Sequence, residues 1–189
     1  MTSTTNETHW ITQAQKGDKQ AFRYLVDAYY PFVFNLAFRY LGNQADAEDV
    51  VQEACVKWWR HFAQFKHQAK LSTWLYALTL RTCMDYTKTA SYKKRKRQQP
   101  ETHAMQMATT ETPAIMLEAN ELAERFKKAA ETLSEKQKTV FVLKDLQGFT
   151  TEETMQISGQ TEEQIKSNLF HARKQVSMYM KMMYQTPEL

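Results

Sequence analysis

Only four glycines and four prolines interrupt this chain of 189 residues. An all-β chain of comparable length would need a turn signal roughly every 8–12 residues, and the breakers for that many turns are missing. Apolar residues instead return at three- and four-residue steps, the spacing that lines one face of a helix. Hydrophobic residues make up 42% of the chain, enough to fill real cores. No strand pattern, internal repeat or glycine-rich phosphate loop interrupts the reading. The expected fold class is all-α.

Helix punctuation divides the chain further. After a polar opening (MTSTTNET), a helical pattern begins near His9. Asp18 stands where a cap belongs, ahead of Phe22, Leu25, Val26 and Tyr29, and Pro31 is read as the start of another helix holding Phe34, Ala37, Phe38 and Leu41. Gly42-Asn43 closes that helix, and the next begins near Gln44. A long pattern then runs from Ser72 or Thr73 to about Tyr92 and ends in the charge run Lys93 to Arg97. Between residues 98 and 112 (QQPETHAMQMATTET) the stripe dissolves ahead of Pro113, the composition of a linker.

A second helical block starts near Ile115, with Leu122, Phe126, Ala129 and Ala130 on one stripe. Ser134 to Gln137, Thr150 to Glu153 and Thr161 to Gln164 each fit a capping box. Gly148 and Gly159 fall where helices should stop. Two helices separated by Gly159-Gln160 form a helix-turn-helix. The expectation is two small helical domains, residues 9–95 and 118–183, joined by a flexible linker over 96–117.

The net charge of +4 is modest but strongly segregated. Residues 44–53 carry four acids and no base, whereas residues 81–97 carry seven bases against Asp85 alone. Two surfaces for two kinds of partner are implied, the basic one meeting a polyanion. Cys55 and Cys83 match no metal or redox spacing and read as small buried apolar groups in a reducing cytoplasm. No apolar run is long enough for a signal peptide or a membrane span, so no membrane insertion is expected.

Both halves of that segregation meet in residues 46–62, DAEDVVQEACVKWWRHF. On a helix, Val51, Ala54, Cys55, Trp58 and Phe62 make the core stripe. Asp46, Asp49, Glu53, Val56 and Arg60 make a polar outward stripe, with Gln52 beside it. Acids near a helix start satisfy its dipole, which accounts for Asp46 and Glu48. Asp49 and Glu53 lie beyond the first turn, and an exposed stripe awaiting a basic partner explains them better. A di-metal carboxylate site is a poor competitor, because no Glu-x-x-His pair occurs, and no metal or cofactor is expected. Trp59 stays open between core and surface.

This segment, followed by LSTWLYALTLRTCMDY (residues 71–86), resembles region 2 of the extracytoplasmic-function (ECF) sigma factors of bacterial RNA polymerase. LSEKQKTVFVLKDLQGFTTEETMQISGQTEEQIKSNLFHARKQV (residues 133–176) resembles their region 4. The resemblance covers roughly residues 17–92 and 118–180, with a dissimilar linker between. It implies a sigma factor: a non-enzymatic subunit that binds core RNA polymerase and promoter DNA and stabilises the melted minus-ten strand. The acidic helix would meet the β′ clamp helices through Asp46, Asp49, Gln52 and Glu53, and region 4 would meet the β flap. The linker would thread toward the active cleft and RNA exit path. Relatives are commonly held by an anti-sigma factor that clamps both domains.

The resemblance also sorts the DNA-facing residues. Capturing an unstacked strand takes cations along phosphates and π-faces for bases. Lys66, His67, Gln68 and Lys70 lie in the loop that would hold an extruded base; Trp74 and Tyr76 follow, either packing the domain or stacking bases. Arg81, Lys88, Lys93, Lys94 and Arg95 complete the minus-ten set. Leu78-Thr79-Leu80-Arg81 departs from the usual Ile-Ala-Arg-Asn after the WLY motif. For the minus-35 element, the recognition helix offers Thr161, Gln164, Lys166, Ser167, Asn168, His171, Arg173 and Lys174. Asn168 stands where relatives place Arg, and Phe170-His171 where they place His-Arg. Residues 161–175 hold three bases and two acids, so phosphate attraction there is weak, and an accessory DNA-targeting partner is one solution. An ordinary helix-turn-helix regulator is the alternative, but it leaves the first 95 residues without a purpose and shows no dimerisation zipper.

Overall fold

A computed structural model describes residues 4–98 and 128–185. Every regular element among the described residues is helical: α1 (Thr4–Gln15), α2 (Lys19–Leu41), α3 (Gln44–His61), α4 (Leu71–Lys88), α5 (Ala90–Gln98), α6 (Glu135–Phe141), α7 (Thr151–Ser158) and α8 (Glu162–Gln185). The start of the second block, including Leu122 and Phe126, and residues 99–117 of the expected linker lie outside the described residues.

Local signals set most boundaries. The Asp18 carboxylate accepts from the amides of Gln20 and Ala21 and starts α2. Gly42, at φ 70°, ends it in the left-handed conformation that glycine adopts without a Cβ penalty. The Asn43 side chain then accepts from the Asp46 amide to open α3. All three expected capping boxes close in both directions.

Two boundaries differ from the sequence reading. Pro31 lies inside α2 and does not begin a helix. An interior proline forfeits one backbone hydrogen bond and costs about 3 kcal/mol. Complete burial of Val33 and Leu36 just beyond it contributes about 1.5–3 kcal/mol each, so packing wins. The long helix expected to reach Tyr92 instead breaks at Thr89, whose backbone is extended. The Thr89 hydroxyl donates to the Tyr86 carbonyl and accepts from the Tyr92 amide, so it ends α4 and caps α5.

Helices α2, α3 and α4 surround a core whose largest fully buried side chains include Trp58, Tyr40 and Phe62. The expected α3 stripe points inward: Val51, Ala54, Trp58 and Phe62 are buried and Cys55 is half-buried. Trp59 sits at the margin, edge-on to Phe22. Burial raises the Cys55 thiol to about 11 and the Cys83 thiol to about 12, so both act as apolar fillers at neutral pH.

The second helical unit packs directly on the first. Helix α6 runs into one turn of π-helix (Val142–Leu146), where the Gln147 amide bonds back to the Val142 carbonyl. Val142, Leu143 and Ile157 join the core cluster of α2, α3 and α4, with Leu146 and Phe149 packed against it. A smaller cluster of Ala129, Leu133, Phe141, Ala172 and Val176 ties α8 to its own unit. Replacing Leu143, fully buried in the shared cluster, by Ala is expected to lower unfolding free energy by about 2–5 kcal/mol. Urea unfolding followed by tryptophan fluorescence checks this, since Trp58 reports the first unit.

Candidate nucleic-acid interface

Helix α3 carries an acid face at one end and leads into a basic loop at the other. Asp49, Gln52 and Glu53 are exposed along it, and Glu53 pairs with Lys57 at 2.8 Å. Asp46 corrects the expected stripe. It is only 8% exposed, and its Oδ1 accepts from the Tyr86 hydroxyl and pairs with Arg95, both at 2.8 Å. Helical periodicity alone puts Asp46 beside Glu53; it cannot register that α4 and α5 cover the start of α3.

Beyond α3, a 3-10 turn (Phe62–Gln64) leads into the loop 65–70. Phe65 is buried, with ring centroids 4.7 Å from His67 and 5.4 Å from Trp74, and its carbonyl accepts from the Gln15 side chain at 2.7 Å. That anchor holds the loop base while Lys66, His67, Gln68 and Lys70 project into solvent. His67 adopts φ 56°, a left-handed conformation uncommon outside glycine. Trp74 is half-buried between Phe62 and Phe65, so packing is part of its role.

The remaining expected minus-ten residues divide by what lies over them. Arg81, Lys93 and Lys94 are exposed. Tyr76 is 8% exposed beneath Phe149, with ring centroids 4.9 Å apart, and burial followed by the Glu153 charge raises its hydroxyl pKa. Lys70 lies 4.0 Å from Glu153 and Lys88 lies 3.4 Å from Glu135. Phe149 and Glu135 belong to the second unit, and nothing in the sequence links them to Tyr76 or Lys88. Arg95 is half-buried against Asp46 and Tyr86.

On the recognition helix several of the expected readers also bond within the protein. Thr161 and Gln164 close the cap of α8 on each other. The Asn168 amide donates to Gln160 at 2.7 Å, and Gln160 donates to the Lys136 carbonyl. Arg173 holds Asp145 through two bonds of 2.8 and 2.6 Å, and that carboxylate raises its pKa further. Lys166 pairs with Glu162 at 2.7 Å on the open surface, where such a pair is easily exchanged. Ser167, His171 and Lys174 remain exposed, with Phe170, 65% exposed, edge-on to His171. The Thr154 and Ser158 hydroxyls donate to carbonyls one turn back. Among the described residues no three His, Cys, Asp or Glu side chains converge as metal ligands. No helix among them is long and apolar enough to cross a membrane.

A helical unit bearing an acidic face and a basic aromatic loop, joined to a helix-turn-helix, defines a DNA-recognition subunit. Comparison with known proteins sharpens that class. Residues 25–92 match the model of Sigma-70 region 2, and residues 123–176 match that of Sigma-70, region 4. The ECF RNA polymerase sigma-E factor of Haemophilus influenzae is 27% identical over 177 residues, spanning 88% of this chain and 90% of its own. The ECF RNA polymerase sigma factor SigW of Bacillus subtilis is 39% identical over 75 residues, 40% of either chain. Among solved structures, CnrH in complex with the cytosolic domain of CnrY aligns with a TM-score of 0.63 at 22% identity, over 92% of this chain and 96% of that one. The sigma factor RpoE, solved with the anti-sigma factor NepR from Bartonella quintana, aligns with a TM-score of 0.63 at 23% identity, over 85% and 96%. These two likenesses concern the fold. The chain belongs to the ECF group of the sigma-70 family and functions as an RNA polymerase sigma factor in promoter-specific initiation. Sigma factors are non-enzymatic DNA-recognition subunits.

The two kinds of recognition-helix residue separate by measurement. Lys174→Ala is expected to reduce the slope of log K against log salt for holoenzyme binding to promoter DNA by about one. Thr161→Ala should leave that slope unchanged while lowering unfolding free energy by about 1 kcal/mol through loss of the cap. Salt titration and thermal unfolding provide the two readouts.

Proposed function

We propose that the two faces of the first helical unit divide the work of initiation. The acid face, through Asp49, Gln52 and Glu53, grips the clamp helices of the polymerase β′ subunit. The loop of Lys66, His67, Gln68 and Lys70, with Trp74, Tyr76, Arg81, Lys88, Lys93 and Lys94, receives the melted minus-ten strand. The observation that carries this reading is that the acid stripe Asp49–Glu53 lies in the first half of α3 while the loop 65–70 and Trp74 follow its far end, one rigid element holding polymerase and DNA at a fixed separation. Lys88, Lys93 and Lys94 lie beside the start of α3, where Tyr86 and Arg95 reach Asp46. Such preorganisation lets binding energy, without chemistry, stabilise an opened duplex. No enzymatic step is assigned to the chain, and its place of action is the cytoplasm of a bacterium.

Residues 9–95 form the polymerase and minus-ten domain in this reading, residues 118–183 the minus-35 domain, and 96–117 the connection between them. The second domain contacts the β flap and reads duplex DNA with Lys166, Ser167, His171 and Lys174. Residues 161–175 hold three bases against two acids, and Arg173 is held by Asp145, so the hold of this domain on DNA depends on the polymerase or on an accessory DNA-targeting partner. An anti-sigma factor that clamps both domains is a further partner; the sigma factor RpoE was solved in complex with one, NepR.

Transcription with purified core polymerase and a promoter library tests the assignment. A defined start site is expected, and Asp49→Arg with Glu53→Arg is expected to reduce core binding at least a hundredfold while circular dichroism stays unchanged. Loss of helicity in that variant would mark the two acids as structural.

Tyr76, Lys70 and Lys88 face Phe149, Glu153 and Glu135, so strand capture at this face requires the two domains to part. Phe149→Ala with Glu135→Lys is expected to raise the affinity of the free protein for a single-stranded minus-ten oligonucleotide several-fold. Fluorescence anisotropy provides the measurement, with core binding as the control.

A further inference from the structure

Helix α5 should not be stable by itself. Its nine residues fall short of the ~12–15 that an isolated helix needs in water. Its sequence also sets five bases in a row, Lys93 to Arg97, and like charges at three- and four-residue spacing disfavour a helix. A segment carrying five consecutive bases would ordinarily swing free.

Three contacts hold it. The Thr89 hydroxyl caps its start by accepting from the Tyr92 amide at 3.2 Å. Tyr92, 9% exposed, inserts into the main core edge-on to Tyr86, with centroids 5.5 Å apart. One turn further along the same face, the Arg95 guanidinium lies over the Tyr86 ring, 5.7 Å from its centroid, and bonds the Tyr86 hydroxyl. Arg95 also pairs at 2.8 Å with Asp46, the carboxylate that Tyr86 donates to. Burial and the Asp46 charge push the Tyr86 hydroxyl up to about 12, so it stays a donor at neutral pH. With the inward face of α5 occupied by Tyr92 and Arg95, Lys93 and Lys94 point outward and are exposed.

We infer that Asp46, Tyr86 and Arg95 form a latch that fixes the basic helix α5 in place, so that Asp46 is a positioning residue for DNA binding and not a polymerase contact. The inference rests on the sigma-factor reading for its function but not for its geometry. A fixed helix presents Lys93 and Lys94 at a set distance from the melting loop; a swinging one would have to be ordered each time it met phosphate, with the entropic cost that entails. Asp46, the first acid of α3, thereby acts on the DNA side of the molecule, whereas Asp49 and Glu53, one and two turns on, face outward. Arg95 likewise acts through the latch and does not itself reach phosphate.

The test uses the full chain carrying Asp46→Asn, Arg95→Gln, Arg95→Lys, or Asp46→Asn with Arg95→Gln. Hydrogen exchange of the α5 amides in the free protein should quicken at least tenfold in Asp46→Asn and Arg95→Gln and stay near wild type in Arg95→Lys. In holoenzyme, the first two should bind a forked minus-ten probe about threefold to tenfold more weakly, with core-polymerase affinity unchanged. The double variant should be no worse than either single one, because both break one latch. Weakened core binding in Asp46→Asn with unchanged fork affinity would overturn the inference, as would multiplying losses in the double variant or unaltered α5 exchange. If the wild-type protein fails to join core polymerase, the functional reading fails, while α5 exchange still decides whether the latch exists.

Discussion

The apolar cluster shared by both helical units is the constraint on which each surface depends. Tyr40, Trp58, Phe62, Leu75 and Leu80 fill the space between α2, α3 and α4, and Val142, Leu143 and Ile157 close it from the other unit. Interiors of this kind are packed to crystal-like density, so every helix around them is fixed in rotation. That rotation decides which carboxylates of α3 meet solvent and where the 65–70 loop projects. The charged surfaces are thus placed by residues that never touch a partner.

Within that frame polar groups serve two purposes that look alike in a sequence. Asp49 and Glu53 are acids on an open helix face, where a charge is well solvated and available. Asp46 is an acid taken out of water, tolerable because a guanidinium and a hydroxyl compensate it. The recognition helix shows the same split. Lys174 stays exposed, whereas Arg173 and Asn168 bind Asp145 and Gln160 and hold the helix-turn-helix together. Gln160, 8% exposed, creates a small hydrogen-bonded link between Asn168 and the Lys136 carbonyl.

The same economy governs the covering of the minus-ten face. Phe149 reaches Tyr76 because a π-turn after α6 adds one residue to the helical register and the Phe149 amide bonds back to Leu143. A T-shaped aromatic contact of this kind adds about 0.5–1.5 kcal/mol beyond the area it buries, and the two flanking ion pairs, largely exposed, add little. The main hold of the cover is therefore the shared cluster of Val142, Leu143 and Ile157, whose burial any parting of the two units has to reverse.

Much of this molecule was legible in its sequence because the signals were local. The Asp18 cap, Gly42, the three capping boxes and the Gly159 turn are each settled within a few residues, and the α3 core stripe follows from helical periodicity alone. The family resemblance added the two-surface plan, again from contiguous motifs. What the tertiary structure decided lies wherever a residue's neighbour is distant in sequence. Pro31 stays within α2 because burial of Val33 and Leu36 outweighs a missing hydrogen bond. Asp46 turns inward because Tyr86 and Arg95, 40 and 49 residues on, cover it, and Tyr76 is hidden by a ring 73 residues away. Periodicity tells which residues share a face of a helix; only packing tells what that face meets.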